Sequence, residues 1–415
     1  MYGTRPWKRF LLGLFAVDGV LLVVLVGLIG LGVGAGDGGP AAAAEVAVPG
    51  LGAMSPPVGA VAQPPTTVTM PPTTLVPDDG KTAADRTLGL LDHIGGDISP
   101  KSIEHSGTGR FIAQNMMYRH TITVYDRSFQ LLATIPDTVD LARFGHAQQP
   151  GEWQGSPVEA AFTSDGRYAY VTNYQMYGPG YGRPGDDGCA DTGEWDASFV
   201  YRIDMAALAI DQVIAVGAVP KYVAVTPDDR HVRVTNWCSY DLSIIDAATA
   251  KEVRRLDLGR FPRGIAVTSD SLTAYVAVMG SSDIAVVDLA GLTVGWIKGV
   301  GANPRHLVLA SDDRYLYVTL NGEGTVAKID VAAGAVVGEV ATGGRPRSMA
   351  ISDDGTALYV VNYDSNSISK VRTADLVETQ ELGTGGRPIG VTYDAGARRV
   401  WVANYTGSIQ VFADR

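Results

Sequence analysis

Prolines recur at a fixed interval through the second half of this chain: Pro220, Pro262, Pro304, Pro346 and Pro388 are each 42 residues apart. A fixed period of this length marks a repeat architecture, in which one supersecondary unit buries its faces only against copies of itself. Pro100 and Pro157 extend the series with gaps of 57 and 63 residues, so two insertions, of 15 and 21 residues, interrupt the spacing. With these set aside, residues 86–415 hold seven units of 42.

Each unit reads as four short strands. In the fourth, Arg263–Val267, Ala274–Val278, Asp283–Asp288 and Leu292–Ile297 are rich in Val, Ile and Ala. Gly, Asp and Ser separate them, the punctuation of tight turns. A four-stranded sheet of this kind needs neighbours on both faces, which is the logic of blades around an axis. The expected fold is therefore all-β, a seven-bladed β-propeller over residues 85–415. The seventh unit runs Ile389–Tyr393, Arg399–Asn404 and Ser408–Ala413 and then ends one strand short. The segment Arg86–Leu91 is expected to supply the missing outer strand and to remove an exposed edge.

The end of the second strand carries a recurring motif. It reads Tyr170-Val171-Thr172-Asn173-Tyr174, Val234-Thr235-Asn236-Trp237, Tyr359-Val360-Val361-Asn362-Tyr363 and Trp401-Val402-Ala403-Asn404-Tyr405 in blades 2, 3, 6 and 7. This resembles the YVTN-repeat family of β-propellers, which is WD40-like in architecture, over essentially all of residues 86–415. Blades 4 and 5 depart, with Val278 and Leu320 in place of the Asn, and blade 1 has its Asn115 one residue early. The Asn is read as structural, a short amide that bonds local backbone where a strand leaves for a loop. The resemblance implies no single activity. Some seven-bladed relatives are lactonase- or isomerase-like, and the family is similar to the haem-binding propeller of cytochrome cd-type nitrite reductases. An axial haem ligand would have to be His306.

The N-terminal region is of a different kind. Arg5, Lys8 and Arg9 form a basic tail over residues 1–9, and an apolar run follows over 10–36, broken only by Asp18. The length of this run and the basic residues before it predict a transmembrane signal-anchor with the later chain exported. The alternative is a cleaved signal peptide with its site near Ala44. Residues 37–84 shift to Pro, Ala and Thr and read as an extended spacer. The expected location is thus a single-pass protein of the cell membrane with the propeller outside.

Catalytic signatures are sparse. The chain has no Cys-x-x-Cys-His, no G-x-S-x-G elbow and no phosphate loop. Basic residues gather at the repeat prolines: Lys101, Lys221, Arg263, Arg305 and Arg347 directly follow one, while Arg260, Arg345 and Arg387 lie just before one. In a propeller these positions surround one mouth of the central channel, where guanidinium forks suit carboxylate or phosphate groups. The competing reading pairs each with a neighbouring carboxylate. Glu159 and His306, two residues past their prolines, are acid–base candidates at the same mouth. The insertion of blade 2 clusters Asp186, Asp187, Asp191, Glu194 and Asp196. Calcium binding there needs several oxygens at once, and a solvated acidic loop is the simpler reading.

Cys189 and Cys238 are the only cysteines. The repeat places both in equivalent loops of adjacent blades, so a disulfide is expected in an exported domain. With a formal net charge of −11, nucleic acid is not an expected partner. The function expected from these features is non-enzymatic binding of a protein, glycan or small anion on the loop face, with no cofactor. A lactonase- or isomerase-like enzyme, or a haem-carrying propeller, is the alternative.

Overall fold

A computed structural model describes residues 76–189 and 194–415, which belong to one compact unit, Thr69–Arg415. The basic tail, the apolar run 10–36 and most of the spacer lie outside the described residues. Among those described, no helix is long and apolar enough to cross a membrane.

Seven four-stranded antiparallel sheets form the seven blades. From the inside outward, blade 3 runs Pro220–Val225, His231–Asn236, Asp241–Asp246 and Lys251–Asp257. Blade 4 runs Pro262–Val267, Thr273–Val278, Asp283–Asp288 and Thr293–Ile297, within a residue of expectation at each strand start. The innermost strands touch in a closed circle, that of blade 7 meeting that of blade 1. Each of the seven blade–blade interfaces buries its own apolar cluster. Burial is thus distributed around the axis, as the repeat requires.

Blade 7 is completed from the N-terminal side. The strand Leu88–Ile94 pairs antiparallel with Ser408–Asp414. It lies slightly C-terminal to the expected Arg86–Leu91 because the Arg86 backbone is used elsewhere: its N–H donates to the Ala83 carbonyl at 3.2 Å and its carbonyl accepts from Lys370 at 2.8 Å. A second tie joins blades 7 and 1, where Arg127 forks onto Asp394 with both bonds at 2.7 Å.

The repeat asparagines are structural. Asn115, Asn173, Asn236, Asn362 and Asn404 are fully buried. The Nδ2 of Asn362 donates to Ser369 at 2.8 Å and that of Asn236 to Ser243 at 2.8 Å, stitching the second strand to the third. The Oδ1 of Asn173 accepts from the Ser156 amide at 3.0 Å. In blade 1 the missing residue is absorbed in the first hairpin. Ser102 still faces Gln114, as Tyr222 faces Thr235 in blade 3, and Asn115 still ends its strand.

Both insertions attach to blade 2. The first folds as a short two-stranded sheet, Thr138–Val139 with Trp153–Gln154, around the 3-10 turn Leu141–Phe144. The second, after Asn173, docks beside it through Trp153, whose indole N–H donates to the Pro179 carbonyl at 3.0 Å.

Candidate functional site: a charged axial channel

The innermost strands do not keep simple alternation after the repeat proline. The register shifts between Pro262 and Ile265 in blade 4 and between Pro304 and Leu307 in blade 5, and blades 2, 3, 6 and 7 shift at the same place. A shift of this kind breaks the period of two that separates inward from outward residues. Consecutive residues after the proline can then both contribute to the channel.

The first contributed layer is cationic. Lys101, Lys221, Arg263, Arg305 and Arg347 lower one another's proton affinity by mutual repulsion, after burial, so they face a shared space. Blades 2 and 7 place Val158 and Ile389 at the equivalent position. Lys221 is 7% exposed, and Arg263 and Arg305 are each 6% exposed.

These cations differ in how they are covered. Lys221 lies 3.8 Å from the Trp237 ring centroid, Arg347 4.2 Å from that of Tyr363, and Lys101 4.9 Å from that of Tyr405. The stacking aromatic is in each case the residue after a repeat Asn. Blades 4 and 5 lack that Asn–aromatic pair and carry Val278-Met279 and Leu320-Asn321. Among the described residues, neither Arg263 nor Arg305 has an aromatic over it or a carboxylate within 4 Å; the nearest polarisable partner of Arg305 is the Met279 sulfur at 3.8 Å. Blade 1 also lacks the aromatic, with Met116 after Asn115, but its Lys101 is covered by Tyr405 of blade 7; Arg263 and Arg305 are left uncovered.

Asp187 enters the ring from the blade 2 insertion. It forms an ion pair with Lys221 and accepts from the Tyr174 hydroxyl at 3.1 Å, and its carbonyl accepts from the Trp237 indole at 3.2 Å. Burial works against its charge, but Lys221 prevails and holds the carboxyl well below the usual carboxylate range. The loop is pinned by the Cys189–Cys238 disulfide, whose Cα atoms are 5.5 Å apart. The Tyr240 hydroxyl also donates to the Cys189 carbonyl at 2.7 Å.

The other described acids of the insertion are engaged with their own loop. Glu194 pairs with Arg183 at 2.8 Å, Asp196 accepts from the Arg183 amide at 2.6 Å, and Asp186 accepts from the Gly188 amide at 2.8 Å. Asp191 lies outside the described residues. Among those described, no three His, Cys, Asp or Glu side chains are grouped to hold a metal.

Arg345 and Arg387 stand apart from the ring. Both occupy the left-handed backbone position before their proline, with φ of 51° and 55°. The Arg345 side chain is 57% exposed and lies 3.3 Å from Asp364. Arg387 donates to the Tyr363 hydroxyl at 3.4 Å, and Arg260 stacks on the Phe261 ring at 5.0 Å.

Below the cations lies a second layer. The Tyr222 hydroxyl and His306 Nε2 are 2.9 Å apart, bridging blade 3 to blade 5. They meet because blade 4 contributes Gly264 between them. A Cβ there would fall 2.6 Å from the Arg305 carbonyl and 2.9 Å from the His306 Cα. Burial, with Arg263 and Arg305 nearby, pushes the His306 pKa down to about 3, so the ring is neutral. Of the two acid–base candidates, His306 is thus bonded to Tyr222 and not to Glu159. A buried ring with its Nε2 committed to a tyrosine also does not fit the role of an axial haem ligand.

Glu159 is 9% exposed. Burial pushes its pKa up to about 7, opposed by Arg263, by the Ser102 hydroxyl and by Lys101. Glu104, in the neighbouring blade, is pushed well above the carboxylate range by burial and by Glu159. Glu104 and Tyr222 line a cavity of about 380 Å³, together with Ser106 and Ser164. Neither residue carries a mark in the repeat: Glu104 lies four residues past its proline, and Tyr222, two past its own, is neither basic nor acidic.

Fold and site together define a seven-bladed β-propeller with a charged axial channel. Residues 252–407 match the family described as YNCE-like beta-propeller, a stretch within which the uncovered arginines fall. Among solved structures the chain is similar to the hydrazine synthase of Kuenenia stuttgartiensis, with 19% identity and a TM-score of 0.61. That match covers 78% of this chain and 98% of the other. At this identity the likeness concerns the fold. No curated protein matches.

Proposed function

We propose that this protein is an extracytoplasmic binding propeller that takes a small anion into the cationic mouth of its axial channel. The observation that carries this reading is the pair Arg263 and Arg305, both buried and both without a carboxylate or aromatic partner among the described residues. Buried like charges are costly unless an opposite charge meets them. Guanidinium forks in a low-dielectric channel suit carboxylate, sulfate or phosphate oxygens. Asp187 already supplies one such carboxylate to Lys221 on the blade 2 side, which leaves the arginine side for a ligand.

The charge state of the mouth sets the pH dependence. Below about pH 7 Glu159 is protonated and Lys221 is charged; above it Glu159 gains a negative charge and Lys221 loses its positive one. Both changes act against an anion. Sulfate, which does not itself titrate in this range, is expected to bind at least about fivefold more weakly at pH 8 than at pH 6. Calorimetric titration at low ionic strength measures this, and affinity that is flat or rises with pH argues against the ring as the site.

The propeller is proposed to stand outside the membrane on the spacer 37–84, held by residues 10–36. Protease added to intact spheroplasts should then digest the propeller or release it by cutting the spacer. Protection until lysis would contradict that topology.

A second reading, glycan binding, draws on a separate cavity of about 640 Å³ between the two insertions. Trp153, Tyr181 and Phe199 line it, with Gln148, Gln149 and Asp196. Substitutions in the arginine ring would leave binding there untouched.

A further inference from the structure

We propose that the ligand of the axial channel is a small zwitterion, with its anionic end on Arg263 and Arg305 and its ammonium end between Glu104 and Glu159. The inference rests on the anion-binding reading of the same channel and extends it to the chemical class of the ligand.

The channel is polar across its width. Blades 4, 5 and 6 contribute Arg263, Arg305 and Arg347, while blades 1 and 2 contribute Glu104 and Glu159. Lys101 and Lys221 flank the acidic side, but Lys221 is already paired with Asp187. Arg263 and Glu159 interact directly through their charges, so the two sides belong to one space.

Both sides hold groups that the protein leaves without a complement. Among the described residues, Glu104 forms no hydrogen bond or ion pair, although its carboxyl lines the 380 Å³ cavity. Glu159 is more than nine-tenths buried and has only the Ser102 hydroxyl and the more distant cations acting on it. On the other side stand Arg263 and Arg305, and the buried His306 Nδ1 has no hydrogen-bond partner. Tyr222 and His306 bond to each other.

Two adjacent carboxyls in a buried space repel when ionised, and the fold counters this by holding protons on them. A single ammonium placed between them supplies opposite charge and hydrogen-bond donors to both, which a neutral hydroxyl does not. A monofunctional anion satisfies the arginines alone, and a monofunctional amine the glutamates alone.

The test compares glycine, β-alanine and γ-aminobutyrate with acetate, ethylamine and sulfate, by calorimetric titration of the intact propeller. At least one zwitterion is expected to bind about tenfold or more tightly than both acetate and ethylamine. In E104Q/E159Q the preference for that zwitterion over acetate should fall to about unity, and in R305M the zwitterion should no longer bind. If the double variant does not fold, E104Q alone should reduce the same ratio. Equal binding of zwitterions and acetate, with sulfate still bound, would overturn the zwitterion assignment while leaving anion binding in place. Failure of sulfate and every other probe to bind would remove the anion reading itself, and this inference with it.

Discussion

Replacing Asp414 by alanine is expected to remove about 3–5 kcal/mol of unfolding free energy, because it strands a buried ammonium. The side chains of Lys370 and Asp414 are both fully buried, with Nζ and Oδ1 2.5 Å apart. The remaining valences are also used: the Tyr359 hydroxyl donates to Asp414 Oδ2 at 2.6 Å, and Lys370 donates to the Arg86 carbonyl at 2.8 Å. One cluster thus joins blade 6, the third strand of blade 7 and the N-terminal segment that completes the ring. Burial pushes the Lys370 pKa below its ordinary value, and Asp414 opposes that shift. Without the carboxylate only the Arg86 carbonyl remains to an ammonium that water does not reach. Removing both charges, as in K370M/D414L, should cost much less, since the desolvation of an ion pair is then avoided as well. Urea denaturation of the three proteins measures the difference. A loss below about 1 kcal/mol in D414A would mean that the cluster does not hold the closure.

Deletion of residues 1–95 is expected to be more damaging still, whereas deletion of residues 1–75 should be nearly silent. The first truncation takes away Leu88–Ile94 and exposes the edge of Ser408–Asp414, a strand buried at every position. It also removes Arg86 and Leu88, the latter packed in the cluster between blades 6 and 7. The boundary belongs at 75 because Asp79 holds Arg86 at 2.7 Å and Arg398 at 2.8 Å. A drop of roughly 10 °C or more in the unfolding midpoint, or loss of soluble protein, is the expected result for the longer deletion. Equal midpoints for the two truncations would refute closure by this strand.

The blades were legible in the sequence because a repeat writes the same burial pattern seven times. Pro220 through Pro388 mark the innermost strands, and the two uneven gaps mark the insertions. The disulfide followed from the equivalence of two loops, and the structure forms it between Cys189 and Cys238. The channel was legible only in its first layer. Five of the eight basic residues expected at the mouth face one another, while Arg260, Arg345 and Arg387 do not join them. Proximity to the proline was the wrong measure for Arg345 and Arg387, since the left-handed residue before it belongs to the turn and not to the channel strand.

The missed residues have physical reasons. Glu104 lies deeper along its strand than the positions considered, and its approach to Glu159 depends on how blades 1 and 2 pack. Tyr222 meets His306 only because Gly264 leaves room between them. Asp187 sat among other acids in an aperiodic loop, where composition does not say which one reaches a lysine. Lys370 is fully buried in a strand that reads Ser367–Arg372, and a lysine in such a strand ordinarily signals the solvent face. One signal was present and unused. The aromatics after Asn173, Asn236, Asn362 and Asn404 each cover a ring cation, and blades 4 and 5, which carry Arg263 and Arg305, have neither that Asn nor the aromatic.

On the proposed function, Arg263 and Arg305 are retained for an anionic ligand and not for the fold. Thermal unfolding of wild type and R263M/R305M, each with and without sulfate at low ionic strength, tests it most directly. Sulfate is expected to raise the wild-type midpoint, while the double variant starts at an equal or higher midpoint and does not respond. A double variant that starts well below wild type and still responds fully to sulfate would contradict it.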